Sequence, residues 1–269
     1  MMDKHSFDIN LLDKTQLFWN SNPCGTHEKY TETRRHRYLM EPYLPKLLSI
    51  IAREGGDVLE VGCGQGVDAI ETCRELINGS YIGIDYSQKS VENAKNFLST
   101  LAELKTRPEF RVGNAENLEF QENSFDAIWS MGVIHHTPNI DNAISEILRV
   151  LRPNKTAKIM IYRKFSLKVG VALLLRKIQS FLDFIFRTNY FFYNVLRANH
   201  SHSKKFGTMF LECFGVPILN SYTKNEVKQL FSEFSEVSIE SYGYNLGFLS
   251  ILKNGPNKFG YFWLVTAKK

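Results

Sequence analysis

The chain has 269 residues, of which 23% are charged and 43% hydrophobic, a composition typical of a globular protein that excludes a disordered chain. No apolar stretch follows the first residues or is long enough to cross a membrane, and the four cysteines form no CxxC pair. We therefore expect a cytoplasmic protein with free thiols and no signal peptide, transmembrane helix or metal site. The net charge of +5 is concentrated in residues 163–205, which contain nine lysines and arginines and one acid.

The first 50 residues precede the first predicted strand and hold a cluster of aromatic and basic side chains. Two interpretations of this segment remain open: a helical lid that only packs on the sheet edge, or a lid that also contacts substrate. In the second interpretation Trp19, Arg34 and Arg37 contact the substrate and Tyr30 reaches the reaction centre, because arginine suits a carboxylate or phosphate group. Arg34 and Arg37 also fit a solvated helix face, since they are three residues apart.

From residue 57 onwards, apolar strands alternate with helices. The predicted strands are 57–62, 81–85, 110–114, 125–130 and 156–162, and the predicted helices between them are 66–78, 87–103 and 141–151. This alternation predicts a parallel sheet with helices on both faces. Ligands of such sheets bind beyond the carboxyl ends of the strands. Four polar or glycine residues fall at those ends: Gly62, Asp85, Asn114 and Ser130.

The alternation is interrupted after the fifth strand by residues 165–214, which are aromatic, aliphatic and basic. This insertion is either a helical cap over the substrate pocket or a basic amphipathic surface, residues 165–205, that meets an anionic membrane. Nucleic acid is disfavoured as a partner because no recognised nucleic-acid module is present. Thr223 and Glu226 then predict a capping box, followed by strands at 237–244 and 259–267.

The stretch VLEVGCGQG at residues 58–66 has glycine at every second position of a turn between a strand and a helix. A ligand can lie there against bare backbone N–H groups at a helix N-terminus. A dinucleotide fingerprint requires a third glycine at position 67, which is Val67, and the Lys-Ser/Thr of a P-loop is absent. What remains is a G-x-G-x-G turn preceded by an acid, Glu60.

Five motifs together resemble the class I S-adenosylmethionine-dependent methyltransferases. They are LEVGCGQG at 59–66, GIDYS at 83–87, GNAE at 113–116, FDAIWSMGVIHHTP at 125–138 and ILRVLRP at 147–153. The resemblance implies a doubly wound, seven-stranded α/β sheet of the Rossmann-like methyltransferase fold, mainly parallel with an antiparallel last strand. It divides the chain into an N-terminal helical lid at 1–50 and a domain at 51–269 that binds S-adenosylmethionine and contains the 165–214 cap.

The resemblance also implies roles for single residues. Asp85 would accept both ribose hydroxyls, and Glu60 would help hold the methionine ammonium, unless it is only a partner for a backbone N–H. Asn114 replaces the aspartate usual in the family and would accept the adenine amino group without charge assistance, beside the N–H of Ala115. The implied cofactor-binding set is Glu60, Gly62, Cys63, Gly64, Gly66, Asp85, Tyr86, Asn114, Ala115, Glu116, Ser130 and Met131.

The predicted reaction is methyl transfer to a small-molecule acceptor at oxygen, with an amphiphilic or anionic metabolite as the candidate acceptor. Methyltransferases that act on adenine or amide nitrogens often carry Asn/Asp-Pro-Pro-aromatic at the end of the fourth strand. This chain has Ser130-Met131-Gly132-Val133 there, which argues against that class of acceptor. A hydroxyl acceptor requires a base, for which His136 is the first candidate and His135 the second; packing is the alternative role of either ring. A non-catalytic adaptor on the same fold and an NAD(P)-dependent oxidoreductase are the other two functions to be tested.

Overall fold

The computed structural model describes residues 4–23, 27–102, 104–188, 213–243 and 255–269. Its strands are β1 (Val58–Val61), β2 (Tyr81–Asp85), β3 (Glu109–Val112), β4 (Phe125–Met131), β5 (Leu151–Tyr162), β6 (Glu236–Tyr242) and β7 (Phe262–Lys268). They form one sheet in the order β3-β2-β1-β4-β5-β7-β6. Strands β1 to β5 pair in parallel, and β7 lies antiparallel between β5 and β6. The predicted seven-stranded, mainly parallel sheet is thereby confirmed.

Helices cover both faces of this sheet. In the described residues they are α1 (Lys4–Ser21), α2 (Tyr30–Met40), α3 (Leu44–Glu54), α4 (Val67–Glu75), α5 (Gln88–Ser99), α6 (Ile140–Val150), α7 (Leu167–Phe186) and α8 (Lys224–Leu230). Apolar residues of α3, α4 and α5 share one buried cluster with the sheet, and those of α6 and α8 share a second one. Two cores separated by the sheet are the arrangement that strand–helix alternation predicts.

Side-chain caps explain where several helices begin. Ser87 accepts a hydrogen bond from the N–H of Ser90 at the start of α5, which satisfies one of the donors that a helix N-terminus leaves unpaired. At the start of α8, Thr223 and Glu226 each accept from the backbone N–H of the other. The predicted capping box is therefore confirmed.

The start of β5 differs from the prediction. A strand beginning at 156 was expected after Pro153, yet β5 begins at Leu151, which pairs with Phe125 of β4. The register then shifts before Ala127 pairs with Thr156. Proline cannot donate to a strand ladder, and such an irregularity accommodates it within a strand.

Two N-terminal helices are tied to the sheet domain by polar contacts. From α1, the Gln16 side-chain amide donates to the carbonyl of Tyr86, and the Trp19 carbonyl accepts from the Ser87 hydroxyl. From α2, the Arg37 guanidinium pairs with Asp68 of α4. These contacts hold α1 and α2 beyond the carboxyl ends of β1 and β2; a lid function for residues 1–50 stays a prediction.

The insertion after β5 begins with α7, whose first turn is capped by Ser166. Residues 189–212, which make up most of the rest of the predicted 165–214 cap, lie outside the described part of the chain. Among the described helices, none is both long and apolar enough to cross a membrane.

Candidate functional site

A cavity of about 570 Å³ lies beyond the carboxyl ends of β1, β2, β4 and β5, a volume typical of small-molecule sites. Because of the sheet order, the strand ends divide its wall into two parts. The loop end is lined by residues at β1, β2 and the segment after β3, namely Glu60, Gly62, Cys63, Gly64, Asp85, Tyr86, Asn114 and Ala115. The aromatic end is lined by Trp19, Tyr43, His136, Tyr162, Lys168, Tyr261 and Phe262.

The three glycines of the loop at 62–66 are needed for different physical reasons. A Cβ on Gly62 would lie 2.2 Å from the Val133 side chain, and one on Gly66 would lie 2.5 Å from the Phe110 ring. Those two glycines therefore allow close packing. Gly64 has φ +51°, and a Cβ there would meet nothing within 4 Å, although Gly64 lines the cavity. Gly64 is thus where bare backbone faces a ligand.

Asp85 organises the loop end from the end of β2. One carboxylate oxygen accepts the N–H of Gly64 at 2.8 Å, and the other accepts the N–H of Ser87 at 2.8 Å. Burial raises the pKa of this carboxyl, and the two hydrogen bonds lower it by a smaller amount. A carboxylate oxygen has two lone pairs, so Asp85 can still accept from a ligand's hydroxyl groups while its backbone contacts hold it in position.

Glu60 is a second carboxyl at the loop end and is buried, with 3% of its surface exposed. The Tyr81 hydroxyl donates to it at 3.0 Å. Burial raises its pKa well above the ordinary value, and the nearby negative charge of Asp68 raises it further. A cationic ligand group would stabilise the ionised form of Glu60, so the donor set at this end fits a ligand that carries both hydroxyls and an ammonium group.

Asn114 and Glu116 are partly engaged within the protein. The Asn114 side-chain carbonyl accepts the N–H of Glu116 at 2.9 Å, and Glu116 in turn accepts the N–H of Asn139 at 2.7 Å. Both contacts order the segment after β3, which brings Asn114 and Ala115 to the cavity wall. The amide oxygen of Asn114 retains a second lone pair with which to accept from a ligand.

Ser130 and Met131, which were both predicted to bind the cofactor from the end of β4, have different environments in the structure. The Ser130 side chain is fully buried, and its hydroxyl donates to the carbonyl of Val61 at 3.0 Å, which joins β4 to β1. Met131 instead lines the cavity next to Gly132 and Val133. Cys63 and Tyr86 also line the cavity; burial raises the pKa of the Cys63 thiol well above its usual range, which keeps it neutral.

His136 lines the cavity and its ring orientation is defined. Nδ1 lies 2.7 Å from the carbonyl oxygen of Ile218, and the ring packs edge-on against Trp19 with the centroids 5.5 Å apart. Because a carbonyl can only accept, Nδ1 carries the hydrogen in the neutral ring and Nε2 is the basic nitrogen. This arrangement is suited to removing a proton from a group in the cavity.

His135 has a different environment. Its side chain is fully buried, and neither ring nitrogen has a hydrogen-bond partner among the described residues. The ring packs on Tyr162 with the centroids 4.1 Å apart. Burial lowers the pKa of His135 well below its ordinary value, and the charges of His136 and Lys168 lower it further. His135 is therefore a neutral packing residue in this geometry.

Of the four residues of the N-terminal helices that were expected to contact the substrate or the reaction centre, two line the cavity and two bind Glu71 of α4 instead. The Tyr30 hydroxyl donates to Glu71 at 2.6 Å, and Arg34 pairs with the other oxygen of Glu71 at 2.7 Å. Both residues thus fasten α2 to α4. Arg37 makes two bonds to Asp68, at 2.7 and 3.3 Å, and lines the cavity. Trp19 lines it as well.

Four residues at the aromatic end had no individual signal in the sequence. Tyr162 at the end of β5 pairs in register with Phe262 at the start of β7, and their rings stack with the centroids 4.8 Å apart. Tyr261 adjoins Phe262, and Lys168 enters from the first turn of α7. Tyr162 and Phe262 meet through antiparallel pairing between segments about a hundred positions apart, and Lys168 joins them through the packing of α7; no local motif exists for either contact.

Comparisons with known proteins relate this chain to methyltransferases. The sequence model of the family described as "Methyltransferase domain" matches residues 58–154. The sterol 24-C-methyltransferase of Pneumocystis carinii is 35% identical over 101 residues, 38% of this chain and 26% of that protein. The 27-O-demethylrifamycin SV methyltransferase of Amycolatopsis mediterranei is 35% identical over 103 residues, 38% of this chain and 36% of that protein. The matches therefore span about a third of these relatives or less.

The fold comparison covers more of the chain. An S-adenosylmethionine-dependent methyltransferase from Thermotoga maritima superimposes with a TM-score of 0.54 over 95% of this chain and 99% of its own, at 14% identity. At that identity the likeness concerns the fold alone. The sequence match is limited to the stretch from β1 to the start of β5, which carries the glycine loop, Asp85 and His136.

Proposed function

This chain belongs to the class I S-adenosylmethionine-dependent methyltransferases, and from that premise we propose that it transfers a methyl group to a small amphiphilic acceptor at oxygen. The observation that carries the proposal is the loop end of the cavity. There, the buried carboxyl of Glu60 and the half-buried carboxyl of Asp85 lie beside bare backbone at Gly64. Ribose hydroxyls and a methionine ammonium are the complementary groups.

The donor would be held by contacts on its sugar, its amino acid and its base. Asp85 accepts the ribose hydroxyls and Glu60 the ammonium, while Asn114 and the N–H of Ala115 face the adenine. Arg37, which Asp68 holds in position, is one of the cations at the cavity wall, and we assign the methionine carboxylate to it. When bound, S-adenosylmethionine supplies a methyl group already activated on a sulfonium, so the protein mainly has to align the two reactants.

The orientation of His136 supports transfer to oxygen. Its Nδ1–H is directed to the Ile218 carbonyl, so Nε2 can take the proton of a hydroxyl as the oxygen–methyl bond forms and the sulfur–methyl bond breaks. The acceptor would lie against the aromatic end. That wall is mostly apolar, and the two relatives described above are named for a sterol and a rifamycin. Both facts support an acceptor with a large apolar part.

Calorimetry separates this function from its two alternatives. We expect S-adenosylmethionine and S-adenosylhomocysteine to bind and NAD⁺ not to bind, because the loop lacks the third glycine of a dinucleotide site. Formation of S-adenosylhomocysteine is then screened with hydroxylated aromatic and lipid acceptors. Binding of NAD⁺ in place of the sulfur cofactors would establish the oxidoreductase, and cofactor binding without turnover of any acceptor would establish the adaptor.

We also propose peripheral contact of α7 with an anionic membrane. Leu167, Leu174, Ile178, Phe181 and Ile185 form one stripe along the helix, opposite its buried side. All five are exposed, Leu174 by 58% and Phe181 by 63%. The basic stretch at 163–205 contributes positive charge on the same segment. An exposed apolar stripe with basic neighbours is typical of helices that lie in a membrane interface.

Co-sedimentation with vesicles tests the membrane proposal. We expect binding to phosphatidylcholine vesicles that contain phosphatidylserine, weaker binding at high salt, and strong loss in the double variant Phe181→Ser, Ile185→Ser. Phe259→Ser is the matched control, since Phe259 is 68% exposed but lies outside α7. Equal loss in the control, or no binding of the wild type at low salt, would leave only the pocket-cap interpretation.

A further inference from the structure

We propose that the aromatic end of the cavity binds an acceptor with a second hydroxyl group, which donates a hydrogen bond to the Glu41 carboxylate. The inference deepens the proposed function, on which it rests, because it specifies a polar group of the acceptor besides the one that receives the methyl group. The observations that carry it are the environment of the two Glu41 oxygens, the position of Glu41 in its helix and the row of rings between Glu41 and His136.

Glu41 lies at the end of α2 and lines the cavity. Its Oε1 accepts the hydrogen of the Tyr261 hydroxyl at 2.5 Å, whereas Oε2 is buried and has no hydrogen-bond partner among the described residues. Buried polar side-chain atoms are nearly always hydrogen-bonded, because an unpaired one has lost its bonds to water without replacement. A ligand hydroxyl in the cavity would supply the missing donor.

The position of Glu41 does not stabilise the helix that carries it. Glu41 is the C-cap residue of α2, where the negative end of the helix dipole disfavours a carboxylate. Its backbone N–H, and not its side chain, bonds to the carbonyl of Arg37 in the last turn. Helix formation therefore does not explain an acid at this position, whereas a contact with a ligand does.

Tyr43 has a second hydroxyl close to this carboxylate. Burial raises the pKa of Tyr43 well above its ordinary value, and the negative charge of Glu41 raises it further. The Tyr43 hydroxyl donates to the sulfur of Met160, which lies 3.6 Å away. Because a hydroxyl has one hydrogen to donate, this contact leaves Oε2 of Glu41 to be satisfied by another group.

The charges next to Tyr261 favour a neutral donor over an ammonium group. The Glu41 carboxylate lies at the Tyr261 hydroxyl, and the Lys168 ammonium lies over the Tyr261 ring, 4.3 Å from its centroid. Lys168 would repel a cationic ligand group that approaches Glu41. A hydroxyl can form the hydrogen bond to the carboxylate without that repulsion.

A row of aromatic rings extends from Glu41 to His136. Next to Glu41, the Tyr261 ring packs against Phe262 with the centroids 4.5 Å apart. Phe262 stacks on Tyr162 at 4.8 Å, and Tyr162 contacts the His136 ring at 5.8 Å. An acceptor with a flat apolar body would lie along these rings, with one hydroxyl at Glu41 and the hydroxyl to be methylated at His136.

Two matched pairs of probes test the inference by calorimetry in the presence of S-adenosylhomocysteine. The first pair is 2,6-dihydroxynaphthalene and 6-methyl-2-naphthol; the second, with a longer body, is 4,4′-dihydroxybiphenyl and 4-hydroxy-4′-methylbiphenyl. In each pair a methyl group replaces one hydroxyl. We expect the diol of at least one pair to bind about tenfold or more tighter than its methyl analogue, since hydrogen bonds to charged groups are the stronger ones.

Variants assign this preference to Glu41. Glu41→Leu should abolish it, and Glu41→Gln should reduce it, because a neutral amide lacks the charge that strengthens the hydrogen bond. Glu32→Gln is the matched control, since Glu32 lies in the first turn of the same helix and is exposed; it should leave the preference unchanged. Binding of S-adenosylhomocysteine by each variant checks that folding is intact.

The outcomes distinguish this inference from the proposed function. Equal binding within both pairs, a preference that survives Glu41→Leu, or no binding of any probe at millimolar concentration would each overturn the role of Glu41. A loss of affinity in Glu41→Leu that is equal for a diol and its methyl analogue would show that Glu41 only holds Tyr261. In all these cases binding of S-adenosylhomocysteine would leave the donor site established, whereas its absence in the wild type would refute the proposed function.

Discussion

His136→Asn is expected to lower kcat about 10²- to 10⁴-fold while leaving the affinity for S-adenosylhomocysteine unchanged, because His136 is the general base in the proposed function and takes no part in donor binding. The asparagine amide can reproduce the Nδ1–H bond to the Ile218 carbonyl, which is 2.7 Å long in the wild type. It has no counterpart of Nε2. His136→Asn thus keeps the bond to Ile218 while it removes the base, whereas His136→Ala would lose both; the ring contact with Trp19 is lost in either variant.

The measurement is formation of S-adenosylhomocysteine with the acceptor that the screen identifies, together with calorimetry of donor binding. Unchanged turnover in His136→Asn would show that the ring only packs. A larger loss in His135→Asn than in His136→Asn would move the base to His135, against the burial of that ring and the absence of partners for its nitrogens among the described residues. The thermal midpoint of both variants checks that folding is intact.

Glu60→Gln is expected to weaken binding of S-adenosylmethionine about 10- to 150-fold, which corresponds to about 1.5–3 kcal/mol for a hydrogen bond between charged groups. The substitution keeps the shape of the side chain and removes its charge. Stability of the unliganded protein should not fall, because burial already disfavours the ionised form of Glu60 and raises its pKa. A loss of affinity without a loss of stability would identify a ligand-binding role.

The pH dependence provides a second measurement. In the proposed function the ionised form of Glu60 binds the ammonium, and burial raises the pKa of this carboxyl, so donor affinity should increase as pH rises through that raised pKa. Glu60→Gln should flatten this dependence. Tyr81→Phe removes a donor that lowers the same pKa, so the affinity profile should move to higher pH. An unchanged profile in Glu60→Gln would assign the pH effect to another group.

The glycine loop and the strand ends were predictable from sequence because their signals are local. Gly62 to Gly66 follow β1 directly, and Asp85 ends β2. Parallel strands bring their carboxyl ends to one edge of the sheet, so the alternation of strands and helices was enough to predict that these residues meet. The capping box of α8 was predicted from its own four residues, and the seven-stranded sheet followed from the resemblance that five contiguous motifs carry.

Hydrogen-bond partners were not predictable in this way. The sequence places Ser130 at the end of β4, yet only the packing of β4 against β1 directs its hydroxyl to Val61. Tyr30 and Arg34 are polar residues of an amphipathic helix, and the docking of α2 on α4 brings both to Glu71. A sequence pattern predicts which face of an element is polar, but not which partner lies opposite that face.

The sequence by itself was therefore enough to predict the fold class and the family, because each depends on contiguous motifs or on a regular period, and the same motifs supply the proposed donor-site residues. Tertiary structure alone decided the other end of the cavity. Register between β5 and β7 sets Tyr162 against Phe262, and α7 brings Lys168 over both rings. Contacts between distant segments are set by long-range pairing and packing, which leave no local trace in the sequence.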